Sequence, residues 1–198
     1  MKTIIFDAGH GGVIDGKYQT AGKRSPIWED GRQLFEGVFN RKIVNLLKLM
    51  CIKNEIPFLD ITTSLEDIPL KERVKTANTY YKETNKDCIY ISIHANAGGG
   101  TGFEVFTSVG DTKSDKIAET IIDEYKKGMP KLILRKDSSD GDLDKEAHFY
   151  VLRKTIMPAV LIECAFMDTL EPDCEYMMCE YGRQMIALAI FNGIKKIV

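Results

Sequence analysis

The sequence predicts a single α/β domain spanning residues 1–198, with a largely parallel sheet. Two observations carry this. Apolar runs of about four to eight residues alternate with longer segments of helical period, the pattern left by strands joined through crossover helices. A chain of 198 residues with 44% hydrophobic content buries one substantial core and lies within the usual size of one domain. No internal repeat or low-complexity tract interrupts the pattern.

The expected strands are Thr3–Phe6, Pro57–Ile61, Cys88–Ile93, Gly102–Thr107 and Ala159–Ile162. Between them the helical period predicts Gln33–Lys53, Pro69–Lys82, Lys113–Lys126 and Asp173–Lys195. Pro69 suits a first helical turn, where its missing N–H costs nothing. Residues Asp115 to Glu124 supply the polar face of the third helix. Two segments read as loops: Gly11 to Arg32, which includes SPIWEDG, and the acidic stretch Lys136 to Glu146. Either borders a substrate groove or is plain surface. Trp28, the only Trp, either stacks on substrate or packs against its loop.

The formal charge of −2 argues against a nucleic-acid partner, which selects a basic face. No apolar run approaches the roughly 18 residues that span a bilayer, so no membrane insertion is expected. The start, MKTIIFDAGHGG, lacks the long apolar region and small-residue cleavage site of a signal peptide and reads as a first strand. The protein as given is therefore expected to be soluble, made in the cytoplasm without an export signal of its own. The five cysteines are odd in number and lack CxxC spacing, which argues against a disulfide framework. Cys51 and Cys88 read as small core residues. Cys164 is a nucleophile only if a dedicated base accompanies it.

Four residues in four segments carry the chemistry: His10 in FDAGHGG, Glu36 in QLFEGVFN, His94 in YISIHAN and Glu163 in PAVLIEC. His10, His94 and Glu163 fall at or just beyond strand carboxyl ends, the rim where open α/β sheets bind ligands, and Glu36 lies near the start of the first helix. Two His and one Glu form the ligand set of a catalytic zinc with an open position, and a second Glu handles protons. Flanking glycines let the chain turn at His10, with Asp7 available to orient its other ring nitrogen. The same turn could cradle phosphate, but it lacks the GxGxxG and GxxxxGK[ST] spacings. His94 alone could be a bonded core histidine. Glu36, among Leu34, Phe35, Val38 and Phe39, needs a partner for its charge: a metal, or Arg32 or Arg41. Glu163 is a general base or a structural carboxylate bonded to amides. His148 is left structural.

These motifs, from IIFDAGHGG through LKERVKTAN and YISIHANAGGGTGFEVF to FYVLRKTIMPAVLIECAFMD, make the chain resemble the catalytic domain of zinc-dependent N-acetylmuramoyl-L-alanine amidases, found in cell-wall remodelling enzymes and phage endolysins. The resemblance covers essentially the whole chain. It implies a central, mostly parallel, twisted sheet flanked by helices; one zinc ion on His10, Glu36 and His94; Glu163 as the catalytic residue; and peptidoglycan as substrate, cut between the lactyl group of N-acetylmuramic acid and L-alanine. The place of action is then the bacterial cell wall, for a holin-released lysin or a domain of an exported protein. Two departures stand out. Ala165 replaces the usual glycine, putting an extra methyl near the site, and KRSPIWEDG lengthens the segment between His10 and Glu36, adding a lip to the groove. The rival readings are a zinc peptidase acting within the stem peptide and a non-catalytic peptidoglycan-binding module.

Overall fold

A computed structural model of the chain describes residues 1–85, 87–137 and 141–198. Part of the acidic loop, residues 138–140, lies outside the described residues. The chain runs β1 (Thr3–Ala8), a hairpin of β2 (Val13–Ile14) and β3 (Lys17–Tyr18), α1 (Glu36–Lys53), β4 (Phe58–Asp60), α2 (Leu70–Thr84), β5 (Cys88–Asn96), β6 (Glu104–Thr107) and α3 (Lys113–Gly128). It continues through β7 (Lys145–Glu146), α4 (Tyr150–Lys154), β8 (Ala159–Phe166), α5 (Glu175–Met178) and α6 (Glu180–Ile197). Six strands form one sheet in the order β4-β1-β5-β8-β6-β7, parallel except where β6 meets β8. The largely parallel α/β architecture is thus as the sequence predicts.

Period-2 alternation assigns each strand residue to a face. Ile4, Phe6 and Ala8, Ile89, Ile91 and Ile93, and Val160, Ile162 and Cys164 pack into the larger core with α1, α3 and α6. The intervening Ile5, Tyr90 and Leu161 pack under α2 and α4. Both faces are covered, which explains why the central strands read as unbroken apolar runs.

Local chemistry explains where the elements depart from the sequence reading. Phe35 is extended and bridges Arg24, so α1 starts at Glu36 rather than Gln33. Pro69 is the N-cap of α2, one place before the first turn. The loop after His10 contains the β2–β3 hairpin, closed by Asp15–Gly16, both with positive φ (48° and 76°), the backbone that suits tight hairpin turns. The helix expected over Asp173–Lys195 is broken into a π-type turn at Leu170–Cys174, then α5, then α6. The break falls at Cys179, which is extended and whose Sγ accepts the Gly182 N–H at 3.2 Å as a helix cap. A Cβ on Gly182 would lie 2.1 Å from the Tyr176 carbonyl oxygen, so glycine there permits the fold-back. β7 and α4 are too short to leave a periodic signal.

Candidate metal centre and catalytic cleft

His10, Glu36 and His94 meet in space. Their ligand atoms all lie within 4.8 Å of one another, and among the described residues no other group of His, Cys, Asp and Glu does this. Glu36 Oε1 is 3.2 Å from His10 Nε2 and 3.0 Å from His94 Nδ1, with the rings edge to face. The two histidines are partly exposed, at 18% and 17%, and Glu36 is buried beneath them at 1%. The Arg32 and Arg41 alternatives for Glu36 are not realised. Arg32 pairs with Asp30 and Glu175, and Arg41 holds the carbonyls of His10, Gly37 and Ser64.

Each ligand is placed by its element. β1 ends at Ala8, and His10 follows with φ 65°, a left-handed backbone unusual for a non-glycine residue. That strained turn is held by Arg41 Nη1, which donates to the His10 carbonyl at 2.7 Å, and by Arg73 Nη2 at 3.4 Å. Glu36 is the first residue of α1, where helix N–H groups favour a negative charge. The Ala95 N–H donates to its Oε1 at 3.2 Å. His94 and Glu163 are paired neighbours on parallel β5 and β8, about 4.8 Å apart across the ladder, and alternation turns both to the α2 face. Immediately beyond them the β5–β8 register shifts by one residue, a bulge at the rim of the site.

Glycine packing fixes the ligand spacing. A Cβ on Gly9 would come within 2.2 Å of the His94 ring, and one on Gly37 would lie 1.9 Å from the Gly11 carbonyl oxygen. The second contact is backbone, so it cannot be relieved by a rotamer; it lets α1 approach the His10 turn. Gly37→Ala is therefore expected to push Glu36 from His10, costing about 1–3 kcal/mol of stability as an overpacking change. Competition with a chromophoric chelator should show weaker zinc binding; parental metal affinity would show that the turn is not spaced by this contact.

The donor set fits a borderline-soft divalent ion such as zinc. Ligand atoms about 2.0–2.1 Å from a tetrahedral zinc lie about 3.4 Å apart, close to the 3.0 and 3.2 Å found at Glu36. Glu36 Oε2 is buried without a hydrogen-bond partner, an atom that a cation would satisfy. Burial opposes ionisation of Glu36, yet hydrogen bonds and charge from His10 and His94 outweigh it and hold the carboxyl well below its usual range.

Beside this His–Glu–His group opens a cleft of about 320 Å³ lined by His10, His94 and Glu163. Burial, with the charges of Glu36 and Glu104, pushes the Glu163 carboxyl up to about 7 against the pull of His94 and Lys23. Its Oε2 is buried and unpartnered, so the account of Glu163 as a carboxylate satisfied by amides does not hold at that oxygen. The four residues singled out in the sequence therefore converge on one place.

Other expectations are corrected. Asp7 does not serve the His10 ring. It lies on the α2 face of β1, where it binds Arg73 at 2.5 Å and accepts from Tyr90 and Ser92 at 2.7 Å each. Arg73, not read as a site residue in the sequence, carries that anchor onward to the Ala8 and His10 carbonyls. The Ala165 methyl is fully buried in the larger core and is not among the cleft-lining residues, so it does not narrow the site. Trp28 packs against that same core rather than the cleft. Cys164 faces the larger core, and burial with the neighbouring Glu163 charge drives its thiol well above the usual range, which removes it as a nucleophile. His148 lines a separate cavity with Arg153 and Pro158, away from the metal centre. Of the two loops, the first reaches the cleft through Lys23, whereas no described residue of the acidic loop lines it.

Comparison with known proteins gives a consistent picture. Residues 4–196 match the family model described as N-acetylmuramoyl-L-alanine amidase. The chain is 30% identical over 201 residues to the sporulation-specific N-acetylmuramoyl-L-alanine amidase of Bacillus subtilis strain 168, covering 99% of this chain and 68% of that protein. It is 29% identical over 198 residues to the N-acetylmuramoyl-L-alanine amidase CwlM of Bacillus licheniformis, with 99% and 68% covered. Among solved structures, the N-acetylmuramoyl-L-alanine amidase of Clostridium difficile 630 superposes with a TM-score of 0.76 at 27% identity, over 98% of this chain and 95% of that one.

Proposed function

We propose, from the premise that this chain belongs to the N-acetylmuramoyl-L-alanine amidase family, that residues 1–198 form one zinc-dependent catalytic domain. In this reading His10, Glu36 and His94 hold a single zinc ion and Glu163 moves the proton. The substrate is peptidoglycan, and the bond cut joins the lactyl group of N-acetylmuramic acid to L-alanine. The observation that carries the residue assignment is the convergence of the two histidines and Glu36 within 4.8 Å beneath a cleft that also contains Glu163. The place of action is the bacterial cell wall. No helix among the described residues is long and apolar enough to cross a membrane.

When bound, zinc supplies a Lewis acid that polarises the scissile carbonyl and acidifies water in its open position. The protein residues do the rest. Glu163, raised toward neutrality and with a free oxygen, accepts the proton of the attacking water and returns it to the nitrogen of the departing L-alanine. Glu36, buried and ionised, contributes one negative charge to the ligand set, so the centre keeps net positive charge for the developing oxyanion. Arg41 and Arg73 act only by holding the His10 turn.

Digestion of purified peptidoglycan by the zinc-loaded chain, beside a chelated control, tests this. New L-alanine amino termini that vanish on chelation are expected. Other new amino termini would move the activity to a stem-peptide peptidase, and binding without products would leave a binding module. His10→Ala and His94→Ala should each lose the metal; stoichiometric zinc in purified His94→Ala would refute the ligand assignment.

A further inference from the structure

The cleft contains one cation that neither the metal centre nor the proton transfer uses. Of the charged groups lining it, Asp7 and Arg73 are bonded to each other, and Asp67 takes the Thr20 hydroxyl at 2.6 Å and faces Arg73 at 3.4 Å. The Lys23 ammonium has no hydrogen bond or ion pair among the described residues, and it lines the same cleft as Glu163. Lys23 is the first residue of the KRSPIWEDG lip between His10 and Glu36.

Its backbone is fixed against the metal centre. The Lys23 carbonyl accepts the Glu36 N–H at 3.0 Å and the Tyr18 hydroxyl at 2.9 Å, and its own N–H donates to Thr20 at 2.9 Å. A bridge between Arg24 and Phe35 continues the attachment. The long side chain thus starts from a rigid point beside Glu36 and carries its charge over the lip. The other wall of the cleft is apolar, with Leu70, Phe149 and Tyr150 exposed at 53%, 40% and 39%. One cationic lip facing an apolar wall orients a substrate that has one anionic end.

We propose that Lys23 is a carboxylate-binding subsite, receiving the free carboxylate of the acidic residue that follows L-alanine in the stem peptide. The inference rests on the amidase reading above and adds a preference for unamidated stems. The scale is suitable: a chain advances at most about 3.6 Å per residue, so that carboxylate lies within roughly 7 Å of the scissile nitrogen, and Lys23 lines the same cleft as His10, His94 and Glu163. Closure of a substrate over the cleft displaces water and strengthens the ammonium–carboxylate contact.

The test uses the zinc-loaded chain and two purified muropeptides that differ only in a free carboxylate or a carboxamide on the second stem residue. The parent is expected to favour the acid by about tenfold in kcat/KM, the size of one charge-assisted hydrogen bond. Lys23→Met should bring the ratio near unity through KM on the acid, Lys23→Arg should restore part of the preference, and Lys23→Glu should reverse it. A parent that does not discriminate would overturn the proposal. So would a Lys23→Met variant that slows both substrates alike through kcat with a displaced acid limb of the pH profile, which would make Lys23 a setter of Glu163 ionisation instead. If the parent cleaves neither substrate, the amidase reading itself fails and this inference with it.

Discussion

Glu163→Gln is expected to fold, to keep its metal and to hydrolyse peptidoglycan about 10³-fold more slowly than the parent, within the range that a positioned general base contributes. The substitution keeps the side-chain shape in the slot beside His94 and removes only the ability to take a proton. Zinc content is expected to stay at one per chain because Glu163 is outside the ligand group. The pH profile gives a second readout. Burial raises the carboxyl to about 7, and a bound cation nearby pulls it back down, so the parent rate should rise with pH along an acid limb at or below about 7. That limb should be missing from the residual activity of the variant. A Glu163→Gln protein with parental turnover would remove Glu163 from the chemistry, and one that lost its zinc would place it among the ligands.

Arg73→Met is expected to lower stability by about 3–5 kcal/mol, the cost of breaking one side of a buried ion pair. For a domain of this size that corresponds to a fall in Tm of about 6–20 °C. Arg73 is 2% exposed and ties α2 to the end of β1: Nη1 binds Asp7 and the Ala8 carbonyl, and Nε binds the Ile68 carbonyl at 2.7 Å. Without it Asp7 is left buried with only the Tyr90 and Ser92 hydroxyls, and the His10 turn loses a brace. The sign of the pH effect follows from Asp7. In the parent, burial pushes the carboxyl up, but Arg73, Tyr90, His94 and Ser92 together hold it below its ordinary value. Its contribution is therefore present above about pH 4 and is lost as pH falls through the lowered pKa. In the variant the buried carboxyl moves above its unfolded value, so acidification favours the folded state. The stability gap between parent and variant should narrow as pH falls, read by denaturant titration at several pH values. A gap that is constant with pH would mean that the loss is packing alone.

The sheet was legible because its central strands are covered on both faces and so are written as apolar runs, Thr3–Phe6, Cys88–Ile93 and Ala159–Ile162 among them. Strand ends were not. His94 and Glu163 lie inside β5 and β8, which continue to Asn96 and Phe166 because neighbouring strands pair with them, a long-range fact that no local pattern encodes. The broken C-terminal helix was missed for a related reason: the fold-back depends on Gly182 against the Tyr176 carbonyl, a tertiary contact.

The candidate site divides the same way. Sequence alone singled out His10, Glu36, His94 and Glu163 as the candidate residues, because two imidazoles and two carboxylates set in apolar or glycine-rich surroundings near strand ends and a helix start need a shared counterpart for their charge and bonding capacity. The resemblance they carry pointed to the amidase family before any coordinate did. Only the tertiary structure decided what supports them. Asp7 turned to Arg73 because alternation along β1 aims it at α2; Gly37 proved a spacer because α1 approaches the Gly11 carbonyl; and Lys23 reached the cleft because its backbone is bonded to Glu36. Those contacts join residues 13 to 66 positions apart, or depend on which face a strand presents, and a sequence fixes neither until the chain has closed on itself.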